Sequence, residues 1–403
     1  MKQLNFKAGA AALSLSLLTC TSCILLPEPD ASYTAINTPV AANPWAAGPS
    51  AGIKPPSGKK KIKIALLLDT SNSMDGLIEQ AKSQLWKLVN ELSGATCDNE
   101  KPELEIALYE YGNDRLSSNE GYIRQVSLFT NDLDVISEKL FALTTRGGSE
   151  FCGYVINTSL SQLDWQGDGD FKVIFIAGNE PFNQGPVDPT IACKIAKEKD
   201  VVINTIYCGD FEEGLNSGWK NGAFLAKGEF MSINQDQKTV YIETPYDMEI
   251  AALNSKLNET YVSYGKRGRI SKSNQSTQDA NAASYSWSNM TERTVSKASS
   301  YYTNKTWDLV DASDEKQFDI EKIKEEDLPK ELRGKTKEEK EKFIAIKKGE
   351  REVIKKRILE LNKQRLSYIA EKQKTISTTN SLDASMIKAI KEQAAKKRFM
   401  FES

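Results

Sequence analysis

The chain has 403 residues and not one histidine. That absence excludes a Ser-His-Asp triad, a Cys-His pair, a His-ligated zinc and the HExxH metalloprotease motif. The commonest general acid and base is missing too, so hydrolysis would have to rest on carboxylates, Lys or Tyr. Positive charge is not in excess: 53 Lys and Arg against 55 Asp and Glu give a formal net charge of −2. Nothing in that balance favours holding a nucleic acid. Cysteine is scarce, at six residues. The apolar stretch from Ala8 to Leu18 is too short for a stable membrane span.

What is present begins with an address. Lys2 and Lys7 precede that apolar stretch, and Thr19-Cys20-Thr21-Ser22-Cys23 follows it. A basic start, a short apolar centre and small residues describe a secretory signal over residues 1–23. Its end resembles a bacterial lipobox, with Cys23 after Ser22 as the expected lipidated residue and Cys20 as the alternative. Such a chain is expected in the bacterial cell envelope, anchored to a membrane through lipid and facing the periplasm or the surface. Four cysteines then remain, Cys97, Cys152, Cys193 and Cys208, enough for two disulfides in three connectivities. Cys193 and Cys208 are the first pair expected, with buried free thiols as the other reading.

Residues 24–60 hold seven prolines among Ala, Gly and Ser and read as a flexible tether. From Lys61 to about Gly265, apolar runs alternate with helical spacing, the signature of a doubly wound α/β layer with a mostly parallel sheet and helices on both faces. Ile62–Leu68, Phe171–Ala177 and Val201–Tyr207 suit buried strands, and Leu104–Tyr111 with Tyr122–Phe129 suits a hairpin-like pair. Residues 266–403 turn polar, then rich in Lys and Glu. Thr336 and Glu339 form a capping box ahead of a long amphipathic helix, with a second helix at Leu382–Ala395. That long helix either packs on its own domain or serves as a partner-binding coiled coil.

One turn concentrates the chemistry. Asp69-Thr70-Ser71-Asn72-Ser73 follows the apolar run directly and precedes a helix. In parallel sheets ligands bind at the carboxyl ends of strands, where the chain turns toward a helix. One carboxylate and two hydroxyls on such a turn suit Mg²⁺, Mn²⁺ or Ca²⁺ rather than a soft metal. The same residues also serve as turn and helix-cap chemistry.

A strand ending in DxSxS, then Gly147-Gly148-Ser149-Glu150 before a helix, then an apolar strand ending in a Gly-rich acidic loop, resembles a von Willebrand factor A (vWA) domain over roughly residues 60–265. The resemblance implies a metal-ion-dependent adhesion site in which Asp69, Ser71, Ser73 and Ser149 hold the ion. The family's third loop usually brings an Asp, whereas this chain has Gly178, with Asn179 and Glu180 following as the residues that could reach in, Glu180 as a fifth candidate ligand. Asp69 then stands as the single certain anionic ligand, which favours a partner protein offering a carboxylate. The implied function is metal-dependent binding without catalysis. The alternative is an envelope scaffold that works through its C-terminal helices and keeps a metal-free site.

Overall fold

The computed structural model describes residues 58–234, 241–373 and 382–401. The signal, both candidate lipidation cysteines Cys20 and Cys23, and most of the tether lie outside them. The described residues form one compact unit.

The strand Lys61–Asp69 (β1) leads into helix Asp75–Ser93 (α1) through a single 3-10 turn at Asn72–Met74. After a short strand Ala95–Cys97 (β2), Glu103–Tyr111 (β3) and Ile123–Thr130 (β4) pair antiparallel, as their sequence suggests. Helices Leu133–Phe141 (α2) and Cys152–Gln162 (α3) follow, then strand Phe171–Gly178 (β5), helix Pro189–Glu198 (α4) and strand Val202–Cys208 (β6). Two short helices absent from the sequence reading, Phe211–Asn216 (α5) and Trp219–Leu225 (α6), precede strand Phe230–Ile233 (β7).

The main sheet runs β4-β3-β1-β5-β6-β7, parallel throughout except for β4. Within β1, Ile62, Ile64, Leu66 and Leu68 enter one core, while Ala65 and Leu67 enter the other. The period of two is intact, but both faces are apolar because helices cover both. This is a doubly wound α/β arrangement. β1 lies between β3, to which the chain passes on one side, and β5 on the other, so its carboxyl end is the topological switch point.

That layering corrects the Cys193–Cys208 pairing. Cys193, on α4, belongs to the core on one face of the sheet, and Cys208, at the end of β6, belongs to the core on the other. The sheet stands between them. Cys97, Cys152, Cys193 and Cys208 are all buried free thiols.

The C-terminal region packs on the same body. Helices Asp247–Glu259 (α7), Gly265–Tyr285 (α8), Trp287–Ala298 (α9), Leu309–Ala312 (α10), Lys337–Gln373 (α11) and Leu382–Ala395 (α12) lead to a last strand, Phe399–Phe401 (β8), which pairs antiparallel with β2. The capping box forms: Glu339 N donates to Thr336 Oγ1 at 3.3 Å, and Thr336 N donates to Glu339 Oε2 at 2.9 Å. Polar α9 is buried between α1, α7 and α8 because its charges find partners there. Arg293 pairs with Asp279 at 2.6 Å and Asp134 at 2.8 Å, and its guanidinium lies 4.6 Å from the Trp86 ring. On α11, Arg351 reaches Asp308 and Asp311, and Arg365 reaches Asp247 and Glu292. Buried charges satisfied this way fix where helices dock, since any other placement strands a charge.

Candidate cation site

The site is built at the carboxyl edge of β1 by three loops tied together through their backbones. Thr70 N donates to Tyr111 O at 2.8 Å, and Arg146 N donates to Thr70 O at 2.8 Å. Asn72 N donates to Gly147 O at 3.2 Å, and Gly147 N returns a bond to Asn72 Oδ1 at 2.8 Å. Glu150 N donates to Gln184 Oε1 at 2.8 Å, joining the second loop to the segment after β5. The loops are therefore held in position by bonds that use none of the candidate ligand oxygens.

Asp69 is fully buried at the end of β1, and its Oδ1 accepts from Ser71 N at 2.7 Å. Ser71 Oγ and Ser73 Oγ stand 3.3 Å apart, and Ser73 Oγ donates to Asn179 Oδ1 at 3.4 Å. The structure thus brings Asp69, Ser71, Ser73 and Asn179 to one point. Ser149 is half-buried in the adjoining loop, next to Glu150.

The third loop explains its own missing carboxylate. A Cβ on Gly178 would come 2.4 Å from Tyr111 Oη and 3.2 Å from Asp69 Oδ2. Tyr111 Oη donates to Ala177 O at 2.9 Å, so the phenol fills the space that a side chain at 178 would need. The second carboxylate comes instead from Glu150, which sequence reading left without a role. Glu150 is buried against Asp69: a Cβ on Gly112 would meet Asp69 Oδ1 and Glu150 Cγ, each at 2.7 Å. Gly112, with φ of +80°, allows that close approach. The signal in the sequence was the acidic residue directly after Gly-Gly-Ser, legible only once the loop's direction is known.

Burial, then the neighbouring Glu150, pushes Asp69 well above the ordinary carboxylate range. Burial pushes Glu150 up to about 7, and the charge of Glu180 adds to the rise. Asp69 Oδ2 and Glu150 Oε2 are buried without a hydrogen-bond partner among the described residues. Two adjacent buried carboxyls with unpaired oxygens either hold a proton or face a cation. Glu180 is half-buried, and its carbonyl accepts from Trp219 Nε1 at 2.9 Å. Among the described residues no three His, Cys, Asp or Glu side chains gather at one point, so Glu180 does not complete a third carboxylate here. The donor set is two carboxylates and two hydroxyls, with the Asn179 amide oxygen beside them. All are hard oxygens of the kind that Mg²⁺, Mn²⁺ or Ca²⁺ accept.

No family model and no curated protein matches the chain. Among solved structures, BatB from Bacteroides thetaiotaomicron is similar at 16% identity over 43% of this chain and 90% of its own, with a TM-score of 0.33. Proximal thread matrix protein 1 from the mussel byssus, in a form titled with a zinc-occupied MIDAS motif, is similar at 15% identity over 44% of this chain and 43% of its own, with a TM-score of 0.33. The pilus adhesin SpaC from Lactobacillus rhamnosus GG is similar at 13% identity over 45% of this chain and 29% of its own, with a TM-score of 0.34. The fold assignment rests on the sheet order and the loop placement described above.

Proposed function

We propose that this chain is an exported, lipid-anchored binding module that captures a partner protein through a divalent cation held by Asp69, Glu150, Ser71 and Ser73. The observation that carries the reading is the pair of buried carboxylate oxygens, Asp69 Oδ2 and Glu150 Oε2, left unpaired where two serine hydroxyls converge. A cation there compensates two negative charges that the fold otherwise buries side by side. Asn179, beside Ser73, and Ser149, which precedes Glu150 in the chain, are the next candidate ligands.

Glu150 changes the charge count of the site. With Asp69 alone, a divalent ion would keep one positive charge and select a carboxylate from the partner. With both carboxylates ionised the formal sum is zero, so a carbonyl or hydroxyl oxygen serves the open position as well as a carboxylate does. The chemistry supplied is coordination. The scaffold reading is weaker, because Arg351, Ile358, Leu361 and Arg365 of α11 and Met386 and Ile390 of α12 are committed to the body itself, leaving Ile346, Val353, Leu359 and Leu366 of α11 exposed.

Two measurements test this. Mg²⁺ or Mn²⁺ should raise the melting temperature of the wild type and leave Asp69→Ala unmoved; no shift in the wild type overturns the cation site. Palmitate labelling of the full chain should be lost in Cys23→Ala, and labelling that survives in both Cys23→Ala and Cys20→Ala removes the anchor.

A further inference from the structure

A separate cavity of about 430 Å³ opens beside the third loop. It is lined by the segment from Pro181 to Asn183, the first turn of α4, and the α5–α6 joint around Asn216, Ser217 and Asn221. None of its lining residues is charged, in a chain where 27% of residues are. Asn183, Asn216 and Asn221 are exposed, and their carboxamides make no hydrogen bond among the described residues.

The groove is preformed. Phe182 N donates to Ser217 O at 2.9 Å, and the Phe182 ring sits 5.0 Å from that of Trp219. A Cβ on Gly222 would meet the Phe182 ring at 2.3 Å, so helix α6 presses directly on the floor. Pro189 and Thr190 on the other wall are held by Asp188, which stands outside the lining as the N-cap of α4 and accepts from Thr190 N at 2.8 Å. Little ordering entropy remains to be lost when a ligand enters.

Each carboxamide offers two donors and one acceptor in a plane, which matches neighbouring hydroxyls that both donate and accept. With no charge in the lining, an ionic group has nothing to select it. No strand edge lines the groove, which removes β-strand addition as a way to hold a peptide. The volume falls in the range of small-molecule sites and has room for a ligand of roughly trisaccharide size. We infer that this groove binds a neutral, hydroxyl-rich ligand, a short glycan segment. The inference does not rest on the cation site, since none of the four proposed cation ligands lines the groove.

The test is titration of the purified protein with maltotriose, cellotriose and triacetylchitotriose, followed by calorimetry or NMR, with a neutral Gly-Ser peptide as control. At least one trisaccharide should bind, and binding should weaken roughly tenfold in Asn216→Ala/Asn221→Ala, the loss expected from two hydrogen bonds. Both side chains are exposed, so the variant should melt with the wild type. Binding should persist in EDTA, which separates this groove from the cation site. Failure of all three sugars to bind at millimolar concentration overturns the inference, as does an unchanged affinity in the double variant or binding of the peptide alone.

Discussion

Tyr111 Oη occupies the place toward which any side chain at position 178 would point: a Cβ there would lie 2.4 Å from it. The two residues exclude one another, and the consequence is a proposed cation site whose second carboxylate sits on a different loop. Gly178→Asp should therefore fail to restore a third-loop ligand. It should cost about 3 kcal/mol by overpacking and by adding a carboxylate beside Asp69. Tyr111→Phe removes the clashing oxygen along with its bond to Ala177, so the double variant should lose less than the two singles summed. Denaturant melts of the four proteins give the coupling energy, and strict additivity would show that the two positions do not compete.

Glu150 gives the site opposite responses with and without metal. In EDTA, Glu150→Gln removes one of two adjacent buried carboxyls and should raise the stability by about 1–3 kcal/mol. In Mg²⁺ the same variant should lose most of the ion's stabilisation, which for a wild type at a hundredfold excess over Kd is about 2.7 kcal/mol. The check is a crossing of the two melting series. If Glu150→Gln destabilises equally in both conditions, Glu150 is only a packing residue.

Lys297 supplies a pH signature that uses none of the proposed cation ligands. It is fully buried on α9, donating to Asn254 at 2.8 Å and Asp279 at 3.0 Å, with Arg293 on the same carboxylate. Burial lowers its pKa to about 8 from 10.5, against the pull of Asp279. Below pH 8 the group is protonated in both states and its destabilising effect is complete. Between pH 8 and 10.5 the unfolded chain binds more protons than the folded one, so the contribution to stability rises with pH. Lys297→Met should flatten the stability curve in that window relative to wild type. Asp279 keeps Arg293 and the amides of Asn254 and Asn258, so the variant should still fold. Parallel curves for the two proteins between pH 8 and 10.5 would refute the assignment.

The thiols can be counted. Cys97, Cys152, Cys193 and Cys208 should resist a thiol reagent in the native protein and react once it is unfolded in guanidinium. Reductant should leave the melting temperature unchanged, because no crosslink lies between the two cores. A drop in melting temperature with reductant would restore a disulfide.

Much of the fold was legible because β1, β5 and β6 are short apolar runs and their helices keep a clean period. The first loop was legible as well, since Asp69, Ser71 and Ser73 are adjacent in sequence and the strand before them sets their direction. Glu150 was not, because its role comes from the approach of a second loop across Gly112, which no local pattern records. The burial of α9 was hidden for a related reason. Arg293 and Lys297 are charged residues in a polar segment, yet they are buried because their partners Asp134 and Asp279 come from other helices. Short α5 and α6 carry too few residues to show a period. The β2–β8 pairing joins segments roughly three hundred residues apart, beyond any local signal.

Two arginines on α11 separate the docking role of that helix from its exposed charge. Arg365 is buried and bonds Asp247 at 2.8 Å, Glu292 at 2.6 Å and Ser288 at 2.8 Å, linking α11 to α7 and α9. Arg357, two turns earlier, pairs with Glu249 at 2.6 Å, but both side chains are about half exposed. Arg365→Ala strands two carboxylates in the interior and should cost about 3–5 kcal/mol. Arg357→Ala breaks a solvent-screened pair and should cost under about 1 kcal/mol. Arg365→Met, which fills the space but still leaves Asp247 and Glu292 without a cation, should fall nearer to Ala than to wild type. If deletion of Arg365 proves as mild as that of Arg357, α11 is not docked as described, and the helix becomes free to engage a partner instead.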